Sequence, residues 1–482
     1  MTTVLLRADA TEEGGAGHVV RALAVAEAVR DSGGDVVLCG RVDTPLARRL
    51  VGAAGIEVVA PVPAARVAAL AAAVGADVVH VDHYGADVVP LGRGWAGEGV
   101  LVSSIEDGVF GRRPADLVVD PTPGSAPRPD DGSGTVLRGV RFAPMRGLVR
   151  AARALRAPDR ADPRVLVVLG GSDAFGETRR VVAAVRAAGA RDVVAVAPEH
   201  SLDGLAGVTA LGPQDDLPGL AATCDLVVSA AGTTTWELAC VGVPAALVTV
   251  TENQVLGARR AAEAGIARLL GPVEDLRPGT AGSPAVASLA ELVARGDLRR
   301  EMRRRGRALV DGRGAARLVA AWHRAVGPGG TLLARPADAE DADTLHVWRD
   351  DPATRASSRS TAPVPRERHV QWLASVLDDP DRLLLVVEDP QQDARPVGTV
   401  RFDRKADGGP WEVSITVAPE ARGRGLGRQV LEAGWAAWRG RTGGGTVQAV
   451  VRPDNLASVR LFEASGWRPG PPTAEGLATF ER

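Results

Sequence analysis

The chain opens with short apolar runs separated by Ala-rich stretches whose apolar residues recur at helical spacing. "TVLLRAD" (3–9), "DVVLCG" (35–40), "IEVVAP" (56–61), "DVVHVD" (77–82), "GVLVSSIED" (99–107) and "DLVVD" (116–120) are continuous apolar runs. Strands covered on both faces of a parallel sheet read this way. Between the early strands stand "HVVRALAVAEAVRDSGG", "TPLARRLVGAAG" and "AARVAALAAAVGA", each ending in glycine or Gly-Ala, where a C-cap belongs. The Pro/Gly/Asp/Ser-rich "PTPGSAPRPDDGSGT" (121–135) predicts a loop.

A second series follows "RALRAPDRADP". Its strand-like runs are "RVLVVLGGSD" (164–173), "DVVAVAP", "VTALGP", "DLVVSAAG" (225–232), "PAALVTV" (244–250) and "ARLLG". They alternate with "ETRRVVAAVRAAGA", "LPGLAATC", "TTTWELACVG" and "ENQVLGARRAAEAG", and a long helical run extends to about Val326. "GPGG" (327–330) reads as a linker. Beyond it the pattern changes to alternating, antiparallel-looking strands, including "RLLLVVED", "RPVGTVRFD" and "WEVSITVAP". The predicted fold class is α/β: two Rossmann-like domains over 1–155 and 156–326, followed by an α+β domain over 332–482.

A length of 482 residues suits two or three domains. Aromatic residues make up only 3%, so the cores are expected to rest on Ala, Val and Leu. The formal net charge of −2 leaves no general basic surface, which argues against nucleic acid or a membrane as partner. The Arg run "LRREMRRRGR" (298–307) reads as a solvated helix face. Cys39, Cys224 and Cys240 lie far apart in apolar contexts, a set that offers neither a disulfide framework nor a zinc spacing. "TVLL" is too short for a signal peptide, and nothing approaches the roughly 18 apolar residues of a membrane span. A cytoplasmic location is the expectation.

The first candidate chemistry is "GGAGH" (14–18), between strand 1 and helix 1. Backbone amides at such a junction, with the helix dipole behind them, favour phosphate oxygens. The turn lacks the Gly-Lys-Ser/Thr ending of a P-loop and a clean G-x-G-x-x-G, so by itself it is also compatible with a plain βα turn that carries His18. Two further small-residue turns stand at strand ends: Gly170, Gly171 and Ser172 in "LGGSD", and Gly232 with Thr233, Thr234 and Thr235 in "SAAGTTTWELAC". Glu237 is expected two residues into the helix that follows, placed to take both hydroxyls of a ribose. Three such turns at carboxyl ends of strands predict one diphosphate-sugar cleft. In "HVDHYG", His80, Asp82 and His83 could be imagined as metal ligands, but no further ligand cluster stands nearby and no metal is expected.

"RADATEEGGAGHVVRALAVAEAV", "VDHYGAD", "LGGSD" and "SAAGTTTWELACVGVPAALVTVTENQ" together resemble the UDP-sugar hydrolase family of pseudaminic acid biosynthesis, over roughly residues 2–325. That family cleaves UDP from UDP-2,4-diacetamido-2,4,6-trideoxy-β-L-altropyranose and is related to the GT-B glycosyltransferase that makes lipid II. The resemblance implies His18 as the general base that activates water against the anomeric carbon. Gly14, Gly15 and Gly17 would let the diphosphate come close, and Asn253 and Gln254 would contact substrate. Asp82, His83 and Tyr84 would line the sugar side of the cleft. The chain departs from the family at "DPT" (120–122), in place of Asp-Gln-Asn, and at "FAPMRGLV" (142–149), in place of Tyr-Ala-Leu-Leu-Arg, which leaves the sugar open.

The second candidate site is "VSITVAPEARGRGLGRQVLEAGWAAW" (413–438). A β-run ends at Val417, a loop with Gly423, Gly425 and Gly427 follows, and a helix is expected from about Leu426. Its amides, with Arg422, Arg424 and Arg428, could hold a pyrophosphate. With "VRPDNLASVRLFEASGW" (451–467) downstream, residues 332–482 resemble the GNAT N-acetyltransferases. "RDDPATRASSRSTAPVPRERHVQWL" (349–373) is similar to the branch that acetylates amino sugars or protein N-termini. The resemblance implies acetyl-CoA as co-substrate, its pantetheine arm along Ser414–Val417 and a contact from Asn455. Glu412, alternating along the strand, is the candidate base. Phe462 stands where the family often has a tyrosine general acid, which a thiolate leaving group can dispense with.

Together the two resemblances imply a bifunctional enzyme that N-acetylates a UDP-amino-sugar and then hydrolyses it to free sugar and UDP. The alternatives are a GT-B glycosyltransferase fused to an acetyltransferase, and a nucleotide-sugar sensor without turnover. The oligomeric state stays open.

Overall fold

The computed structural model describes residues 2–85, 99–125, 127–155, 160–170, 173, 176–198, 200–205, 207–276, 283–326, 331–358, 360–404 and 409–482. Gly171, Ser172 and the expected linker 327–330 lie outside the described residues. Thr3–Glu27 with Val36–Leu318 form one compact unit, and Val319–Arg482 make up the body of a second.

The first unit holds two parallel sheets. One contains β1 (Thr3–Ala8), β2 (Asp35–Cys39), β3 (Glu57–Val59), β4 (Val78–Asp82), β5 (Leu101–Ile105), β6 (Leu117–Asp120) and β7 (Thr135–Arg138), ordered β3-β2-β1-β4-β5-β6-β7. The other contains β8 (Arg164–Val168), β9 (Asp192–Val196), β10 (Val208–Leu211), β11 (Leu226–Ala230), β12 (Ala245–Thr249) and β13 (Ala267–Pro272), ordered β10-β9-β8-β11-β12-β13. Both are Rossmann-like, and together they make the GT-B-like pair that the sequence pattern predicts. In each the order reverses beside the first strand, which opens a crevice at the carboxyl edge. β4 and β5 are buried along their whole length, which is why they read as unbroken apolar runs. Strand β7 is a departure from expectation. Its four residues, partly exposed and polar at both ends, pair with β6 directly after the expected loop 121–135, where no element was predicted.

The second unit is a mixed sheet of β14 (Leu333–Pro336), β15 (Arg382–Asp389), β16 (Arg395–Arg404), β17 (Trp411–Val417), β18 (Val447–Val451), β19 (Arg468–Gly470) and β20 (Ala478–Glu481), ordered β14-β15-β16-β17-β18-β20-β19. Only β17 and β18 run parallel, and their pairing covers Trp411 to Val413 alone, although β17 stays paired with β16 to Val417. The two strands therefore part beyond Val413. The Gly427–Thr442 helix lies across this sheet and buries Trp438 against Phe402, ring centroids 5.4 Å apart. No helix among the described residues is long and apolar enough to cross a membrane.

The helix approaches the sheet most closely at Gly434, where a Cβ would stand 2.5 Å from Val400 Cβ. Gly434→Ala should therefore cost about 1–3 kcal/mol by overpacking. Calorimetry should show a lower transition for residues 319–482 and an unmoved one for the first unit.

Candidate active site

The carboxyl edges of the two parallel sheets line a cleft of about 640 Å³. Two helices point their N-termini into it. The Gly17–Asp31 helix begins after the glycine turn, and the Thr233–Val241 helix begins after Gly232. They come close: a Cβ on Gly17 would lie 3.7 Å from Thr233 Oγ1. Thr11 closes the glycine turn by accepting from Gly14 N through its hydroxyl at 2.9 Å and from Gly15 N through its carbonyl at 2.8 Å. Gly15 adopts φ 70°, a conformation suited to glycine. Gly14, Gly15, Gly17, Gly170, Gly232, Thr233, Thr234, Asn253 and Gln254 all line the cleft.

His18 lines it too, and its Nδ1 stands 2.6 Å from Asp82 Oδ1. Burial alone would raise the Asp82 carboxyl. The Arg21 charge and the hydrogen bonds from His18 and Arg21 instead hold it well below the usual carboxylate range. An ionised carboxylate only accepts, so Nδ1 carries the hydrogen and Nε2 of a neutral His18 is the acceptor. Tyr84 also lines the cleft. Its hydroxyl donates to Asp107 Oδ2 at 2.6 Å, and burial together with the Asp107 charge raises its pKa.

Two expectations are corrected here. Asp82 and His83 are not among the side chains that line the cleft. Asp82 is 2% exposed and stands behind His18. His83 turns away, its Nε2 paired with Asp9 Oδ2 at 3.1 Å and its Nδ1 accepting from Gly85 N. His80 is no ligand candidate either: buried beside Ser103 Oγ at 3.0 Å, its pKa is lowered by burial to about 4, so it is neutral. Among the described residues no group of three His, Cys, Asp or Glu side chains could hold a metal ion.

Glu237 is the fifth residue of its helix rather than the second, because the threonines form the first turn. It is 7% exposed, lines the cleft, and burial raises its pKa against the opposing charge of Arg146. Arg146, from the divergent "FAPMRGLV", was not singled out in the sequence. It too is 7% exposed and lines the cleft, and its Nε is buried without a partner. Thr235 Oγ1 is buried and unpartnered in the same wall. Asn253 Oδ1 accepts from Thr251 Oγ1 at 2.6 Å and Gln254 Oε1 from Val250 N at 2.9 Å, so both carbonyls brace their own turn.

The other divergent segment is braced from below. Asp120 Oδ1 accepts from Gly108 N at 3.4 Å and Thr122 N at 3.1 Å, setting Pro121 and Thr122 on the cleft wall. Beside it Glu106, 1% exposed, pairs with Arg128, which also donates to the Arg113 carbonyl at 2.8 Å. Burial lifts the Glu106 carboxyl to about 7 against the pull of Arg128, and the Asp120 charge adds to the rise.

In the second unit, Gly423 (φ 75°) and Gly425 (φ 72°) shape the loop that leads through Leu426 into the Gly427–Thr442 helix. Alternating left-handed residues of this kind turn successive amides into one concavity, suited to a pyrophosphate. Arg424 reaches only a 3.9 Å ion pair with Asp389. Arg422 does not match its expected role. Its Nη1 donates to Asp351 Oδ2 at 2.6 Å and its Nη2 to Thr354 Oγ1, so its charge is already matched. Asn455 caps the Leu456–Ala464 helix, accepting from Ser458 N at 3.2 Å, a structural task where a CoA contact was expected. Ser414–Val417 lie where β17 has parted from β18, leaving a strand edge for an extended ligand. Glu412 sits at the start of that strand opposite Asp403 and Gln448, partly buried. Phe462 packs into the core against Trp467 and Phe480, at 5.1 and 5.7 Å.

Residues 331–468 match the family model described as acetyltransferase (GNAT) domain. Among solved structures, the chain is similar to MurG from Acinetobacter baumannii, at 19% identity over 67% of this chain and 100% of that one, TM-score 0.49. It is similar to spermidine N-acetyltransferase from Vibrio cholerae, in complex with CoA and spermine, at 17% identity over 32% and 94%, TM-score 0.29. It is also similar to an acetyltransferase from Thermus thermophilus, at 26% identity over 32% and 96%, TM-score 0.27. No curated protein matches. The chain thus carries a C-terminal GNAT acetyltransferase domain behind a GT-B-like pair of Rossmann-like domains.

The Glu106 shift sets a pH dependence of stability. The folded state holds a proton near pH 6 that an unfolded glutamate, titrating at 4.5, has released. This contribution is therefore fully present below about 4.5 and lost as pH rises through about 7. Melting temperatures from pH 5 to 8 should fall more steeply for the wild type than for Glu106→Gln.

Proposed function

We propose that the chain is a bifunctional nucleotide-sugar enzyme. The GNAT domain transfers the acetyl group of acetyl-CoA to the amine of a UDP-amino-sugar, and the Rossmann-like pair hydrolyses the product, of the UDP-2,4-diacetamido-2,4,6-trideoxyhexose type. In the acetyl transfer the amine nitrogen attacks the thioester carbonyl, the C–S bond breaks and CoA leaves as thiolate. Glu412 takes the amine proton and Ser414–Val417 hold the pantetheine arm. In the hydrolysis water oxygen attacks the anomeric carbon, and the C–O bond to the diphosphate breaks with its electron pair going to the leaving UDP. His18 Nε2 takes the water proton.

The observation that carries this reading is the pairing of His18 with Asp82 at 2.6 Å where the two helix N-termini converge. It supplies a base of fixed tautomer beside an anion site, which is what displacement of a diphosphate by water requires. Arg146 supports the same reading as a buried cation that can meet the diphosphate charge, and Glu237 as an acceptor for ribose hydroxyls. The domain boundaries 1–155, 156–326 and 332–482 belong to this proposal.

His18→Ala should lower UDP release by about 10²–10⁴-fold. Acetyl transfer to UDP-4-amino-4,6-dideoxy-N-acetyl-β-L-altrosamine, followed as free CoA thiol, should be unchanged. Loss of both activities in this variant would contradict separate sites. UDP release that needs an added acceptor would make the first unit a glycosyltransferase. For the second site, Gly425→Val puts a branched side chain at φ 72° and should weaken acetyl-CoA binding at least tenfold by calorimetry, leaving UDP binding intact.

A further inference from the structure

One guanidinium ties together two ring side chains that face the cleft, His18 and Tyr84. Arg21 follows His18 by three positions on the Gly17–Asp31 helix, so both leave the same face. Arg21 Nε donates to Asp82 Oδ2 at 2.8 Å and Nη2 to Asp82 Oδ1 at 2.6 Å. Its Nη1 donates to both oxygens of Asp107, at 2.9 and 2.8 Å. Asp82 ends β4 and Asp107 follows β5, so adjacent strands deliver the two carboxylates to one edge. Beyond each carboxylate stands a cleft side chain: His18 on Asp82 and Tyr84 on Asp107, each at 2.6 Å. The two rings meet edge-on, centroids 4.5 Å apart at 82°.

We propose that Arg21 is the positioning residue of the cleft. Through Asp82 it sets the tautomer and orientation of His18, and through Asp107 it sets the direction of the Tyr84 hydroxyl. The network itself stands on geometry; that it serves hydrolysis rests on the reading given above.

The hydrogen inventory leaves one arrangement. Arg21 has only donors and the ionised carboxylates have only acceptors, so His18 Nδ1 and Tyr84 Oη must both donate outward to them. Arg21 Nη2 also lies 3.1 Å from His18 Nδ1, and both are donors that share Asp82 Oδ1. His18 thus presents Nε2, and Tyr84 presents an oxygen whose own hydrogen is engaged. That oxygen is an acceptor. A substrate group at Tyr84 must therefore be a donor, a sugar hydroxyl or an amide N–H. Four of the five N–H groups of the fork are used, and a lysine at this position offers a single point charge that cannot hold both carboxylates at once.

The test compares Arg21→Lys, Arg21→Gln and Asp107→Asn in the full chain. UDP release gives kcat and KM, UDP titration reports an intact cleft, and long-range ¹H–¹⁵N spectra of the histidines report the His18 tautomer, assigned with His18→Gln. The wild type should show a single Nδ1–H tautomer. Arg21→Lys and Arg21→Gln should lose about 10²-fold or more in kcat, with KM and UDP affinity within a few-fold and a mixed tautomer. Asp107→Asn should lose kcat but keep the tautomer, since Arg21 still holds Asp82 through Nε and Nη2. A single tautomer with undiminished kcat in Arg21→Gln would overturn the proposal, as would equal losses of kcat and UDP affinity, the mark of a merely structural residue. If the wild type releases no UDP from any UDP-sugar while the tautomer still becomes mixed without Arg21, the hydrolase reading fails and the positioning role stands.

Discussion

Arg21 and Asp82 are an ion pair with almost no water on either side, and that constraint organises the first unit. Taking two such charges out of water costs several kcal/mol each, regained only if geometry is good and every remaining hydrogen-bonding site is filled. Arg21 comes close to that condition with four bonds to two carboxylates, and Asp82 accepts from both Arg21 and His18. The carboxylates must therefore come from neighbouring strand ends in fixed register, and the helix must start where His18 and Arg21 face them. The glycine turn before the helix provides that start. Arg113 closes the network below, its guanidinium bonded to the carbonyls of His83, Gly85 and Gly111.

The same physical device serves both units with different supporting charges. In each a strand runs into a glycine-shaped turn and a helix begins with its amides open to an anion. In the parallel pair the adjacent guanidinium, Arg146, is buried and lacks a hydrogen bond at Nε, with Glu237 as its opposing charge. In the acetyltransferase loop Arg422 is already matched by Asp351, which leaves the amides and the more loosely held Arg424 for the proposed pyrophosphate. A basic residue inside a glycine motif is thus not automatically a ligand for phosphate.

Much of this was legible in the sequence, for identifiable reasons. Continuous apolar runs mark strands buried on both faces, and small-residue turns at their ends mark the crevice. β7, β14, β18, β19 and β20 went unassigned, and in β7, β19 and β20 partner strands rather than side-chain pattern decide the structure. Arg21 left a trace that was not read: a lone arginine inside the apolar "HVVRALAVAEAV", three residues after the histidine. Asp107 left another in "SSIED", ending a strand as Asp82 does. Asp82 itself was legible as a site residue but not as a support, because nothing in one dimension tells the face of a strand end that meets substrate from the face that meets a helix. Arg146 was hidden in a segment notable only for its divergence.

The cleft wall holds several polar groups that the protein itself leaves unanswered. Buried polar atoms are ordinarily paired, since an orphan forfeits about 1–3 kcal/mol. Here the Nε of Arg146 and Oγ1 of Thr235 are buried without partners, and Glu237 is nine-tenths buried with its pKa raised, all in the wall beside one helix N-terminus. A cation, a hydroxyl and a carboxylate facing inward suit a ligand with anionic, acceptor and donor groups in turn, as a nucleoside diphosphate has. The chemistry end, by contrast, is braced internally through Arg21, so His18 and Tyr84 are held before any ligand arrives. Binding free energy can thus be gained at the Arg146 end while the His18 end needs no reorganisation, the division of labour that electrostatic preorganisation requires.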